Sequence, residues 1–297
     1  MKRFGIDVST HNGNIDWESV KGHVDFAIIR AGYGNALVYP NQVDNTFERN
    51  YNGCKANSIP CGVYWYSYAD SVEDVIKEAK SCIAQIKGKK FEYPIFFDLE
   101  ESAQFARGTA FCDSLVKAFC GELEKAGYWA GLYISRSPLQ NYISAAVAKR
   151  YALWVAEYND KCYYDGDYGM WQYSSTGGVS GVGGNVDCNY CYVDYPAKIK
   201  AKGLNGYPKP AKPKPVMDKS GYKLKDSTIG CLAMKELILL AYKLKLTKHK
   251  VAKDNGFGKG TQNAVNELLD KLGYQSNGIA GANFIKRLHT EIDKKIK

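Results

Sequence analysis

The sequence holds only four histidines, His11, His23, His249 and His289, and they do not cluster along the chain. A histidine-built metal centre therefore has little to assemble from. Nine cysteines are present, an odd number that cannot all pair within one chain, and only Cys188 and Cys191 form a C-x-x-C. No second close pair accompanies them, which weighs against a zinc module. Scattered unpaired thiols fit a chain made and kept in a reducing compartment. No apolar run approaches the ~18 residues that span a bilayer. The N-terminal MKRFGIDVSTHNG begins basic but lacks the apolar stretch of about 7–15 residues that marks a signal peptide. Membrane insertion and export by the general secretion route are accordingly not expected. The nucleotide motifs are missing too: RAGYGN carries two glycines without a third and without an acidic partner on the next strand, and there is no P-loop.

Proline is scarce, nine in 297 residues, and four of the nine crowd into AKGLNGYPKPAKPKPVM at 201–217, alternating with lysine. Proline fixes φ and removes a donor, and neighbouring lysines repel, so this tract reads as an extended linker. It separates a large unit, 1–200, from a small one, 218–297. The charge divides at the same place. Residues 1–200 hold 20 Lys and Arg against 23 Asp and Glu, whereas residues 201–297 hold 20 against 8. A basic module on a slightly acidic body points to an anionic partner: nucleic acid, membrane headgroups or an anionic cell wall.

What the large unit has in quantity is tyrosine, 23 in the whole chain, and an alternation of strand and helix patterns. Tyrosine offers a flat apolar face and a hydroxyl, suited to polyhydroxylated ligands or to core packing. Strand patterns at 4–9, 25–31, 61–69, 93–100, 130–135 and 152–158 are interleaved with helical stretches near 16–21, 45–56, 71–87 and 110–126, and with one more helix between the last two strands. Such βα units imply a mostly parallel sheet. Six or more in about 200 residues favour an irregular TIM-like (β/α) barrel, with an open doubly wound sheet as the alternative. MWQYSS…GNVDCNYCYV reads as strand–turn–strand, so the barrel is expected to close with antiparallel strands.

In such barrels the chemistry lies at the C-terminal ends of strands. That rule selects Asp7, Asp98 and Glu100 as candidate catalytic residues, and Asp187, in NVDCNY near the last strands, is a fourth. Two residues apart on a strand, Asp98 and Glu100 share a face with Cα atoms roughly 6–7 Å apart. Each raises the other's pKa, which can separate a general acid from an electrostatic partner. Glu101, off that alternation, reads as a solvated neighbour. A divalent-metal site is the competing use of clustered carboxylates.

Seven segments, in order, decide between these uses: GIDVSTHNG, FAIIRAGYG, PCGVYWYSYA, FFDLE, AGLYIS, LWVAEYN and WQYSSTGGVSGVGGNVDCNY. Together they make residues 3–195 resemble the glycoside hydrolase family 25 muramidases, the Chalaropsis-type lysozymes. The resemblance implies hydrolysis of the β-1,4 bond between N-acetylmuramic acid and N-acetylglucosamine in peptidoglycan, with no cofactor and no metal. It implies Glu100 as the general acid and Asp98 as the group that steadies positive charge at the sugar, directly or through the substrate's N-acetyl group. Asp7 and Asp187 would complete the acidic cluster, while Tyr66, Tyr133, Trp154 and Gln172 would bind substrate. A substrate-assisted, retaining route is expected, an exception to the usual carboxylate pair.

In the basic tail, three helical patterns are expected: TIGCLAMKELILLAYKLKL (228–246), DNGFGKGTQNAVNELLDKLGY (254–274) and SNGIAGANFIKRLHTEI (276–292). In the third, Phe284, Ile285, Leu288 and Ile292 fall at helical spacing. The D-x-G-F-G…T…A-V pattern resembles peptidoglycan-binding domains of cell-wall hydrolases. It departs from them by an extra residue, Lys259 or Gly260, before Thr261, and by a Leu/Lys-rich first helix. A basic domain that only adds charge is the plainer alternative, and a DNA-reading helix with interleaved exposed aromatics is missing. The whole chain then reads as a two-domain wall muramidase of phage-endolysin type. Such a protein is made in the cytoplasm and acts on the wall after release. A bacterial autolysin, a non-catalytic wall-binding protein and a metal-dependent hydrolase are the alternatives. Oligomeric state is not legible.

Overall fold

A computed structural model describes residues 2–209 and 214–296. The chain separates into two compact units, Met1–Pro210 and Ala211–Lys297. The middle of the expected linker, 210–213, lies outside the described residues. Its beginning is not linker at all. Asn205 is fully buried in the first unit, accepting from the Trp129 amide at 2.7 Å and donating to the Tyr93 carbonyl at 2.8 Å. Those bonds fix residues 203–207 to the body, which composition alone does not reveal.

Eight strands form one closed barrel in sequence order. They are β1 (Arg3–Val8), β2 (Phe26–Tyr33), β3 (Cys61–Tyr66), β4 (Ile95–Asp98), β5 (Ala130–Ser135), β6 (Ala152–Ala156), β7 (Met170–Gly177) and β8 (Val186–Cys191). Pairs from β1–β2 to β6–β7 are parallel, and β8 joins β7 and β1 antiparallel on both sides. The helices of this unit are α1 (Trp17–Val20), α2 (Phe47–Ala56), α3 (Val72–Ile86), α4 (Ser102–Phe105), α5 (Thr109–Lys125), α6 (Arg136–Tyr142), α7 (Ala145–Arg150) and α8 (Tyr195–Lys202). Between β5 and β6 there are two short helices where one is expected. Ser144 interrupts them and caps the second, its side chain accepting from the Val147 amide.

Strand alternation sorts the side chains into two cores. Outward residues such as Ile6, Val8, Ile29, Val63, Phe97 and Val155 pack beneath the helices. Inward residues, Phe26, Ile28, Phe96, Trp154 and Met170, fill the barrel, and Tyr195 and Ile199 of α8 join that same cluster. Gly5 and Gly131 make room for this filling: a Cβ on either would stand 2.5 Å from a ring carbon of Phe26 or Phe96. Cys188 packs outside and Cys191 inside. Three residues apart on one strand, their thiols face opposite ways and cannot close on one ion.

In the second unit α9 (Ile229–Lys243), α10 (Lys259–Lys271) and α11 (Ala282–Ile296) enclose Met234, Ile238, Phe257, Leu268, Phe284 and Leu288. Phe284, Leu288 and Ile292 are buried at the expected helical spacing, with Ile285 at the margin. Lys235 is 2% exposed, its ammonium donating to Asp254 and to the Gly256 carbonyl, both at 2.8 Å.

Candidate active site

The C-terminal ends of the parallel strands, with the N-terminal end of β8, surround a cleft of about 240 Å³. All eight residues expected at the site line it: Asp7, Asp98, Glu100, Asp187, Tyr66, Tyr133, Trp154 and Gln172. Ladder register explains the convergence. Asp7 and Asp187 are direct partners across the antiparallel β1–β8 pair, and opposite residues of such a pair share a face. Asp98 stands between Tyr66 on one neighbouring strand and Tyr133 on the other. β4 ends at Asp98, so Glu100 is carried on the following segment rather than on the ladder. The alternation still persists for two residues. Leu99 is buried in the outer core, its amide bonded to the Tyr133 carbonyl at 3.1 Å, and Glu100 returns to the cleft mouth.

The electrostatics follow from packing four acids together. Burial, then the Asp187 charge, pushes the Asp7 carboxyl up to about 7, against amide hydrogen bonds from Asn189 at 2.7 Å and Gln172 at 3.0 Å. Burial raises Asp98 well above the carboxylate range, and Glu100 and Asp7 add to it while Arg30 opposes. Asp98 Oδ1 is buried with no hydrogen-bond partner in the protein. Glu100 is exposed as a residue, yet the cleft walls withhold water from its carboxyl and raise it. Asp187 and Glu101 act in the same direction, and the Tyr133 hydroxyl acts against them. Burial also raises Asp187. The cluster can therefore hold protons near neutrality.

Several side chains are committed differently from the sequence expectation. Glu101 is not a solvated neighbour: the Tyr66 hydroxyl donates to its Oε1 at 2.7 Å. Gln172 is buried and bonded through both its side-chain oxygen and nitrogen. Its Oε1 accepts from Tyr133 at 2.8 Å and Tyr158 at 3.1 Å while its amide holds Asp7, so it braces the acids from beneath. Trp154 is 1% exposed and forms a floor, its ring nitrogen donating to Asn189 at 2.8 Å and its face meeting Tyr133 edge-on at 4.4 Å.

Sequence reasoning missed Arg30, Tyr64 and Tyr158 in the lining and Asn189 behind it. Arg30 was within reach. It continues the inward series Phe26, Ile28 on β2, and a cation at an otherwise apolar alternating position is a signal. Its Nε donates to Asp44 at 2.8 Å. Despite burial, bonds from Thr46, Thr10 and Arg30 hold Asp44 below the ordinary range.

A family model described as "Glycosyl hydrolases family 25" matches residues 6–182. That stretch stops short of β8 and Asp187. An autolytic lysozyme of Clostridium acetobutylicum is 29% identical over 185 residues, which are 62% of this chain and 54% of the relative. The modular autolysin LytC of Streptococcus pneumoniae, solved in complex with a synthetic peptidoglycan ligand, superposes with a TM-score of 0.56 at 29% identity over 64% of this chain and 47% of that one. The chain thus spans about half the length of these two relatives. The CTP1L endolysin matches over 98% of this chain and 99% of its own, with a TM-score of 0.58 at 19% identity, a likeness of fold. With the matched segment covering more than half the sequence and the closed barrel carrying its acids at the strand ends, the chain belongs to glycosyl hydrolase family 25.

Proposed function

We propose that the chain is a muramidase that cleaves the β-1,4 bond between N-acetylmuramic acid and N-acetylglucosamine in peptidoglycan. The observation that carries this reading is the four-carboxylate cluster at the barrel mouth, with Glu100 outermost and Asp98 beneath it. Glu100, whose proton affinity burial in the cleft raises, donates to the leaving glycosidic oxygen. Asp98 brings a buried acceptor oxygen without a protein partner. The N–H of the substrate's 2-acetamido group satisfies it, which aims the acetamido oxygen at the anomeric carbon and steadies the ring that forms. Water then opens that ring, with retention of configuration. Asp7 and Asp187 set the proton affinity of the cluster, and Gln172 and Asn189 hold Asp7 in place.

The test is digestion of purified peptidoglycan by wild type and by Glu100→Gln, with EDTA present. Wild type is expected to release new reducing ends at muramic acid. The variant is expected to lose on the order of 10²–10⁴ in kcat. Equal turnover by the variant removes Glu100 from the role of acid, and loss in EDTA restored by a divalent ion favours the metal-dependent alternative. An NMR spectrum of the first-formed anomer decides retention.

The finer reading is a phage-type endolysin, made in the cytoplasm and acting on the wall after release, with residues 218–297 holding it there. The excess of basic over acidic residues in that unit, 16 against 8, supports attraction to an anionic wall. The full chain should sediment with walls at low salt and release at high salt, and a chain ending at residue 209 should stay in solution. Equal sedimentation of the two chains refutes the anchoring role.

A further inference from the structure

Buried acids also occur outside the cleft, and Glu78 is the most deeply buried of them. Glu78, on the inner face of α3, is 2% exposed. Its Oε2 accepts the Ser67 hydroxyl at 2.6 Å and its Oε1 accepts the Tyr68 amide at 2.9 Å. Both carboxylate oxygens are thus occupied by the segment that leaves β3. Gln104 of α4 supports the same segment, its side-chain nitrogen reaching Ser67 Oγ at 3.2 Å and the Ala69 carbonyl at 2.9 Å. One turn along α3, Ser81 Oγ accepts the Leu37 amide at 3.2 Å, so the helix also grips the segment that leaves β2.

These segments carry an aromatic wall. The Tyr68 ring lies 5.0 Å from Tyr66 and 5.9 Å from Tyr33, edge-on to the latter. The three tyrosines line a second cavity of about 570 Å³, which shares Arg30 and Tyr66 with the acidic cleft. Tyr68 is 56% exposed, so its own burial contributes little to holding it there.

We propose that Glu78 is a positioning residue that fixes residues 67–69, so that Tyr66 and Tyr68 stand as a preformed wall for the glycan running out of the cleft. The assignment of a glycan rests on the muramidase reading. The anchoring of the segment does not. An uncharged filler would satisfy packing at lower cost than a buried acid. What the carboxylate adds is two strong acceptors aimed at one loop. Burial pushes Glu78 up to about 7. Ser67 and the Tyr68 amide favour the anion, and Asp74, one turn earlier on α3, opposes it.

The experiment compares Glu78→Ala, Glu78→Gln and Ser67→Ala in the full chain. With Ala at 78 the KM for soluble glycan strands is expected to rise about tenfold with kcat held within about threefold, because binding geometry is lost and the chemistry is not. Glu78→Gln should restore KM, its carbonyl accepting from Tyr68 and its amide facing a reoriented Ser67. Ser67→Ala, which leaves the Tyr68 bond in place, should give a smaller rise and keeps the test available should Glu78→Ala fail to fold. Independently of substrate, amide exchange of the peptide covering 67–69 should speed by about tenfold or more in Glu78→Ala and stay at the wild-type rate in Glu78→Gln. If wild type releases no reducing ends, the muramidase reading falls and the exchange rates still judge the anchoring. Unchanged KM and unchanged exchange in folded Glu78→Ala overturn the proposal, as does a Gln variant no better than Ala.

Discussion

At the lower end of the barrel interior, Phe26, Ile28, Phe96 and Met170 close on one another, with Tyr93 stacked on Phe26 at 4.4 Å. One inward step further along the same strands stand Arg30, Asp98 and Gln172, with Asp7 on β1. The lower layer gains from excluding water and contributes stability. The upper layer loses by burial, since each acid there has its proton affinity raised. Stability is thus made at one end of the barrel and expended at the other, and the two ends should respond oppositely to mutation.

The largest contrast comes from Glu100→Gln. Its expected loss on the order of 10²–10⁴ in kcat should come with a melting temperature equal to or above wild type, because Gln replaces a carboxyl whose charged form the crowded acidic cluster disfavours. Phe96→Ala should do the reverse. Removing a fully buried ring that meets Trp154 at 5.1 Å should cost about 3–5 kcal/mol in urea unfolding, with kcat per folded molecule close to wild type. A destabilised Glu100→Gln, or a Phe96→Ala as stable as wild type, would break the contrast.

A smaller effect is expected from pH alone. Asp7 and Glu78 both have folded-state affinities raised to about 7. The native state then binds more protons than the unfolded chain between the ordinary carboxylate range and neutrality. Stability from these groups is complete below about pH 4 and is lost as pH rises through the window up to about 7. Urea midpoints at pH 4.5 and 7.5 measure it, and Glu78→Gln should flatten part of the slope. Midpoints that rise with pH would contradict the raised affinities.

The barrel, its antiparallel closure and the placing of Asp7, Asp98 and Glu100 were legible because strand period and the strand-end rule depend on local pattern, whereas Asp187 stands at the N-terminal end of antiparallel β8, outside that rule. The neighbours of each side chain were not. Gln172 and Trp154 read as groove residues, but their polar atoms face Asp7, Tyr133 and Asn189 inside the protein. Those partners sit 35–165 positions away by sequence, beyond any window of spacing. Glu101 was misplaced for the same reason, since its partner Tyr66 lies on another strand, 35 positions away. The tract from 201 looked like linker because composition registers proline and lysine and cannot register that Asn205 has a buried pair of partners.

The closing strand has a consequence for the timing of folding. β8 supplies Asp187 and pairs with β1, which supplies Asp7, so the site joins residues 180 positions apart. During synthesis the earlier strands can pair in order, but the acid cluster stays incomplete until the last strand emerges and inserts between β7 and β1. Such a long-range closure is slow to form compared with the local βα pairings. The nascent chain therefore carries Asp7 and Asp187 apart, and the complete acidic cluster would arrive as one late event.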